Sequence, residues 1–215
     1  MLQGISSNCV VCNAEFSLSC HGVLQSCVLH DKLPVRLIVG GMKLMAVLDI
    51  VKYGATVLRE KAKPVAEVND DIRALAKEML ASMYAAEGVG LAAEQVGRTE
   101  AICVIDVPKE EACGVKMPLV LVNPRIRSLE GEQCGQEGCL SFPGIYIDVK
   151  RADKAVVDYV DLEGKEATVE ATGLLSRALQ HEIDHLNGVL LIDNMSAVQK
   201  VAHAGKLKRM KAGRL

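Results

Sequence analysis

Two histidines four positions apart with a glutamate beside the first, in QHEIDH at 180–185, are the residues whose spacing most directly implies chemistry. On a helix, His181 and His185 share one face, so both imidazoles can hold one metal ion while Glu182 accepts a proton beside it. Two histidines do not complete such a site, because catalytic centres of this kind use three protein donors and keep a fourth position open. The pattern that would continue to a third histidine, H-E-x-x-H-x-x-G-x-x-H, finds Gly188 in place but Leu191 where the ligand belongs. A downstream glutamate is excluded because no Glu follows residue 182, and nothing around Asp193 or His203 marks either as a donor. The third ligand is therefore expected upstream, and the best candidate is Cys139 in QEGCLSFPG. Gly138 before it and Ser-x-Pro-Gly after it suggest a shaped turn that presents a thiolate and leaves neighbouring backbone N–H groups free. The alternative for a lone cysteine is a small buried thiol.

Elements must bring 139 and 181–185 together. NDDIRALAKEMLASMYAAEG from Asn69 is an amphipathic helix, with Ile72, Leu75, Met79, Leu80 and Met83 at helical spacing, Asn69 or Asp70 as cap and Gly88 as terminator. A glycine-rich loop, GVGLAAEQVG, follows. Strand patterns come next at 101–107, 118–124 and 145–149, then a hairpin turning at Glu163-Gly164. Thr172 can cap, and Gly188 end, a helix on which Leu174, Leu175, Ala178, His181, Glu182 and His185 share a face. A last helix starts near Ser196. The pattern predicts an α+β fold, with mostly antiparallel sheets packed around a central helix carrying HEIDH, plus an N-terminal and a C-terminal helix.

Composition narrows the class. The chain has 215 residues, half of them hydrophobic but only 3% aromatic, and a net charge of −2, so nothing drives it as a whole toward nucleic acid. No apolar run is long enough to span a membrane. The first 31 residues contain neither Lys nor Arg, which argues against a signal or transit peptide, and the eight cysteines then suit a reducing cytoplasm. Residues 1–43 differ from the rest and read as an extension with little fold of its own, or as sequence ahead of a start near Met42 or Met45; residues 44–215 read as one catalytic domain. Within the extension, Cys9, Cys12, Cys27 and His30 have the spacing of a small zinc site, a minor alternative. After Asp193 the chain carries Lys200, Lys206, Lys208, Arg209, Lys211 and Arg214 with no acidic residue, either a solvated face or a docking surface for a polyanion.

Three ordered motifs, GVGLAAEQ at 88–95, EGCLS at 137–141 and QHEIDH at 180–185, together with VLREKAKPV at 57–65, resemble those of peptide deformylases over roughly residues 46–210. The resemblance implies Cys139, His181 and His185 as ligands of Fe²⁺, with Zn²⁺, Ni²⁺ or Co²⁺ as substitutes. It implies hydrolysis of the formyl group from N-formylmethionyl peptides by a metal-activated water, with Glu182 as general base and acid. Gln95 and the Leu140 N–H would hold the oxyanion, Val89, Gly90 and Gly138 would line the substrate, and Glu137 and Arg151 would form a bracing ion pair. A ribosome contact through the basic C-terminal helix also follows, whereas membrane association and specific DNA binding do not. Glu94 and Tyr146 depart from the family pattern and bear on fine specificity. The competing expectations are another H-E-x-x-H metallopeptidase, or a homologue that binds ribosome or peptide without catalysis.

Overall fold

The computed structural model describes residues 36–37 and 46–214. The Cys9, Cys12, Cys27 and His30 reading lies outside the described residues. Two of the extension's residues, β1 (Arg36–Leu37), pair antiparallel with β2 (Ala46–Val47).

Helix α1 (Asp70–Ala85) starts where expected, with the Asn69 side chain accepting from the Ile72 N–H at 3.0 Å. Its end differs. Gly88 N donates to the Met83 carbonyl and Glu87 N to that of Tyr84, so the residue in the left-handed conformation is Glu87, at φ 56°, rather than Gly88.

A five-stranded sheet runs in the order β3 (Gly90–Ala92), β4 (Ile102–Ile105), β5 (Leu119–Glu130), β8 (Lys154–Val160), β9 (Glu166–Thr172), with every neighbouring pair antiparallel. The loop expected at 88–97 thus contains an edge strand. β5 continues past Pro124 because its pairing with β8 shifts register between Val122 and Arg125, and a bulge spares the ladder the N–H that proline lacks. A separate ribbon pairs β6 (Gln133–Gly138) with β7 (Tyr146–Arg151). β6, with the sequence QCGQEG, carries no apolar alternation and has no counterpart among the strands expected from sequence.

Strand β4 is buried on both faces and shows how the layers stack. Ile102 and Val104 pack with Leu75, Met79 and Met83 of α1, while Cys103 and Ile105 pack with Leu175, Leu179 and Ile183 of helix α2 (Gly173–Leu186). Truncating such a buried leucine to alanine costs about 2–5 kcal/mol. Helix α2 is central, as expected, but it is buried nearly all round. Besides its apolar face it buries Ser176, Arg177 and Gln180, whose side chains bond backbone carbonyls of Gly135, Val149 and Ala152. Thr172 stands at its N-cap without a capping side-chain bond; Gly188, at φ 73°, terminates it. Helix α3 (Ala197–Lys211) is capped reciprocally by Ser196 and Gln199, and its Leu207 and Met210 join a third core with Phe142, Ile145, Ile147 and Val149.

Candidate metal centre and active site

β6 ends at Gly138, and the chain turns immediately, with Phe142 N donating to the Cys139 carbonyl at 2.8 Å. That turn sets the Cys139 thiol against two successive turns of α2. Cys139 Sγ lies 3.2 Å from His185 Nε2, and one donor atom each from Cys139, His181 and His185 fall within 4.8 Å of one another. His181 Nδ1 is engaged by Glu137 Oε2 at 3.0 Å, which leaves Nε2 for a ligand, an arrangement that fixes the tautomer. Burial pulls the pKa of His185 well down, keeping the imidazole neutral and able to ligate. His185 Nδ1 and Glu182 Oε2 are buried without a hydrogen-bond partner among the described residues. A soft thiolate, two imidazoles and an orphaned carboxylate oxygen fit a divalent transition metal with a water or substrate group beside it.

Neither Asp193 nor His203 belongs to this donor group. Asp193 forms an ion pair with Arg59 and accepts from Leu190 N at 2.8 Å, and His203 lies on α3.

Glu182 is buried, and its carboxyl is pushed up to about 7, chiefly by burial, with His181 opposing. A carboxyl poised near neutrality suits a general base. The strand opposite makes room for it: a Cβ at Gly90 would stand 2.3 Å from Glu182 Oε1, and one at Gly88 would stand 2.7 Å from Leu140 Cδ1. Gln95 sits in the 3₁₀ turn Ala93–Val96 after β3. Its Oε1 accepts from Ala92 N at 2.9 Å, which orients Nε2 toward Ser141 Oγ at 3.3 Å and Cys139 Sγ at 3.4 Å.

Glu137 and Arg151 form an ion pair that belongs to a larger cluster. Arg151 donates through Nε and Nη2 to Glu137 at 3.0 and 3.1 Å and through Nη1 to Asp184 at 2.5 Å; Arg177 Nη1 donates to Glu137 at 2.8 Å. Burial alone would raise the Glu137 carboxyl, but hydrogen bonds from His181 and Arg151 outweigh it and hold it at about 2. Arg177 is absent from the sequence-based expectations, although its position four residues before His181 puts it on the same helical face.

A cleft of about 550 Å³ opens over these groups, between edge strand β3 and the end of β6. Val89, Gly90, Gly138 and Leu140 line it, with Leu174 and Ala178 of α2 on its apolar side. Tyr146 stands at its rim, 60% exposed, over Gly138, where a Cβ would meet Tyr146 Cε1 at 2.7 Å. Glu94 is fully buried, with both carboxyl oxygens unpartnered among the described residues and its pKa raised to about 8 by burial.

A cysteine turn and an H-E-x-x-H helix meeting in a cleft beside a buried glutamate define the site of a metal-dependent hydrolase. The family profile described as Polypeptide deformylase matches residues 47–201. The peptide deformylase of Alkalilimnicola ehrlichii is 48% identical over 166 residues, 77% of this chain and 92% of that protein. That of Thermoanaerobacter pseudethanolicus is 52% identical over 149 residues, 69% of this chain and 89% of the relative. Among solved structures, the peptide deformylase of Ehrlichia chaffeensis superposes with a TM-score of 0.71 at 35% identity, covering 78% of this chain and 98% of that one. The chain belongs to the peptide deformylase family.

Proposed function

We propose that this protein hydrolyses the formamide bond at the amino terminus of N-formylmethionyl peptides, consuming one water and releasing formate and a free α-amino group. The observation that carries this is the Cys139, His181 and His185 cluster in a cleft beside the buried Glu182 carboxyl, whose Oε2 has no hydrogen-bond partner among the described residues, in a chain of this family. We assign Fe²⁺ as the resident metal, held by those three residues, with Zn²⁺, Ni²⁺ or Co²⁺ able to replace it; all suit a thiolate and imidazole donor set. Held by these residues, such an ion would supply Lewis acidity, lowering the pKa of water toward neutral and stabilising developing negative charge.

The protein's own residues do the rest. Glu182 takes the proton of the attacking water and returns it to the leaving amine, a role worth typically about 10²–10⁴ in rate. Gln95 Nε2 and the Leu140 N–H donate to the oxyanion as it forms. The peptide lies extended between the edges of β3 and β6, along the backbone of Val89, Gly90 and Gly138, with the methionine side chain against Leu174 and Ala178. Glu137, bound by Arg151 and Arg177, keeps His181 in its ligating tautomer.

No helix among the described residues is long and apolar enough to cross a membrane. A cytoplasmic site of action fits the thiols Cys103, Cys113, Cys134 and Cys139, which are free among the described residues. We assign residues 44–215 as the catalytic domain, and α3 as the surface that contacts the ribosome.

Formyl-Met-Ala-Ser and acetyl-Met-Ala-Ser offered to Fe²⁺-loaded protein prepared without oxygen test the function. Formate released from the first, with the second left intact, is expected. Cleavage of internal peptide bonds in unformylated peptides, without formate, would assign the site to a peptidase instead.

A further inference from the structure

Residues 51–53 cross behind the cleft and make three hydrogen bonds that join its two sides. Val51 N donates to the Gln95 carbonyl at 2.7 Å, Tyr53 N to the Ser141 carbonyl at 3.0 Å, and Lys52 Nζ to the Leu140 carbonyl at 2.9 Å. Tyr53 also stacks on Phe142, with ring centroids 4.9 Å apart. The segment thereby ties the 3₁₀ turn that carries Gln95, which follows the large sheet's edge strand, to the cysteine turn that carries Leu140, which follows the small ribbon. Two of the three bonds are made by backbone, which any residue but proline could supply. The third is the Lys52 side chain, half-buried in the wall of the cleft.

A long ammonium side chain held in this way is costly to immobilise unless its bond is used. Lys52 forms no ion pair among the described residues. Burial lowers its pKa, while the charges of Cys139 and then Asp49 oppose that. Its one hydrogen bond goes to the residue whose N–H faces the developing oxyanion in the proposed hydrolysis. A backbone donor aids a transition state only when it sits about 2.7–3.1 Å from the oxyanion, so its direction must be fixed before substrate arrives. Turns do not fix it by themselves.

We propose that Lys52 is a positioning residue for the hydrolysis: its ammonium anchors the Leu140 carbonyl, so that the Leu140 N–H and the Gln95 amide converge on one point. This rests on the assignment of the Leu140 N–H as an oxyanion donor. Because the bond acts on a donor that matters most in the transition state, its loss should appear in kcat and spare KM.

The test compares Lys52→Met and Lys52→Arg with wild type in three readouts: kcat and KM for formyl-Met-Ala-Ser, Tm, and the backbone ¹H–¹⁵N shifts of Leu140 and Ser141 in metal-free protein. Lys52→Met is expected to lose about tenfold to a hundredfold in kcat, the scale of a donor misplaced by a fraction of an ångström, with KM and Tm almost unmoved. The Leu140 and Ser141 shifts should move with it, and Lys52→Arg should recover much of both. A Met variant with wild-type kcat, or one whose loss lies in KM or Tm while the two amides stay in place, would overturn the proposal. Wild-type protein that releases no formate would instead defeat the deformylase reading, and the amide shifts would still report whether Lys52 holds the turn.

Discussion

At the scale of single residues, the glycines of GVGLAAEQ have a reason that spacing alone does not reveal. Spacing alone suggests an ordinary turn, and the family resemblance implies room for a peptide backbone; the structure adds that a Cβ at Gly90 would collide with Glu182 Oε1 at 2.3 Å. Glu94, four residues on, is the opposite case, a carboxyl buried with no partner for either oxygen among the described residues. Its pKa in the folded chain is about 8 against an ordinary 4.5, so the folded state holds the proton more tightly than the unfolded chain does. The penalty is therefore absent below the ordinary value, grows as pH rises through the interval, and is complete above about 8. Glu94→Gln should leave Tm nearly unchanged at about pH 5 and raise it at about pH 8.5. Each kcal/mol gained there corresponds to about 2–4 °C in a chain of this size. Thermal melts across that range check this, and a Tm difference independent of pH would show that the carboxyl does not ionise in place.

At the scale of elements, α2 is readable from sequence because its two jobs share one period. Leu175, Ala178 and His185 repeat at helical spacing, and a glutamate on that face stands out as functional. α1 and the β8–β9 hairpin are readable from the same kind of pattern. β6 is not, because QCGQEG packs one edge of a two-stranded ribbon and its inward residues are the polar Glu137 and the small Gly135, which leave no alternation to detect. Arg177 escapes notice for the same reason, since an arginine in a helix is read as solvated until a carboxylate is found to face it. The cluster places Arg151 and Arg177 side chains at 8% and 9% exposure on one carboxylate. Glu137→Gln would leave two buried guanidinium groups around an uncharged amide. Breaking a buried pair in this way typically costs about 3–5 kcal/mol. Urea unfolding of metal-free Glu137→Gln should show that loss, with Arg177→Met restoring part of it; a change below about 1 kcal/mol would mean the cluster is solvated in solution.

At the scale of the whole molecule, the third ligand can be sought by elimination because Leu191 replaces the expected histidine and no glutamate follows residue 182. The family resemblance then supplies what elimination does not, the oxyanion donors on two other elements. The basic end of the chain is a separate surface. In α3, Lys206 Nζ bonds the Gly144 carbonyl at 2.7 Å, while Lys200, Lys208, Arg209 and Lys211 are exposed. Neutralising Lys208, Arg209 and Lys211 together should weaken ribosome co-sedimentation and flatten its salt dependence by roughly one unit of slope for each phosphate no longer neutralised, with formate release from a free peptide unchanged. Binding that persists undiminished would assign these charges to solvation alone.

The central claim is that Cys139, His181 and His185 hold the metal while Glu182 moves the proton. Metal content and formate release, measured side by side in anaerobic wild type, Cys139→Ser and Glu182→Ala, separate the two roles. Glu182→Ala is expected to retain one metal per chain and lose about 10²–10⁴ in kcat, whereas Cys139→Ser should lose Fe²⁺ and activity together. A fully metallated and active Cys139→Ser, or a Glu182→Ala enzyme that turns over at the wild-type rate, would contradict the account.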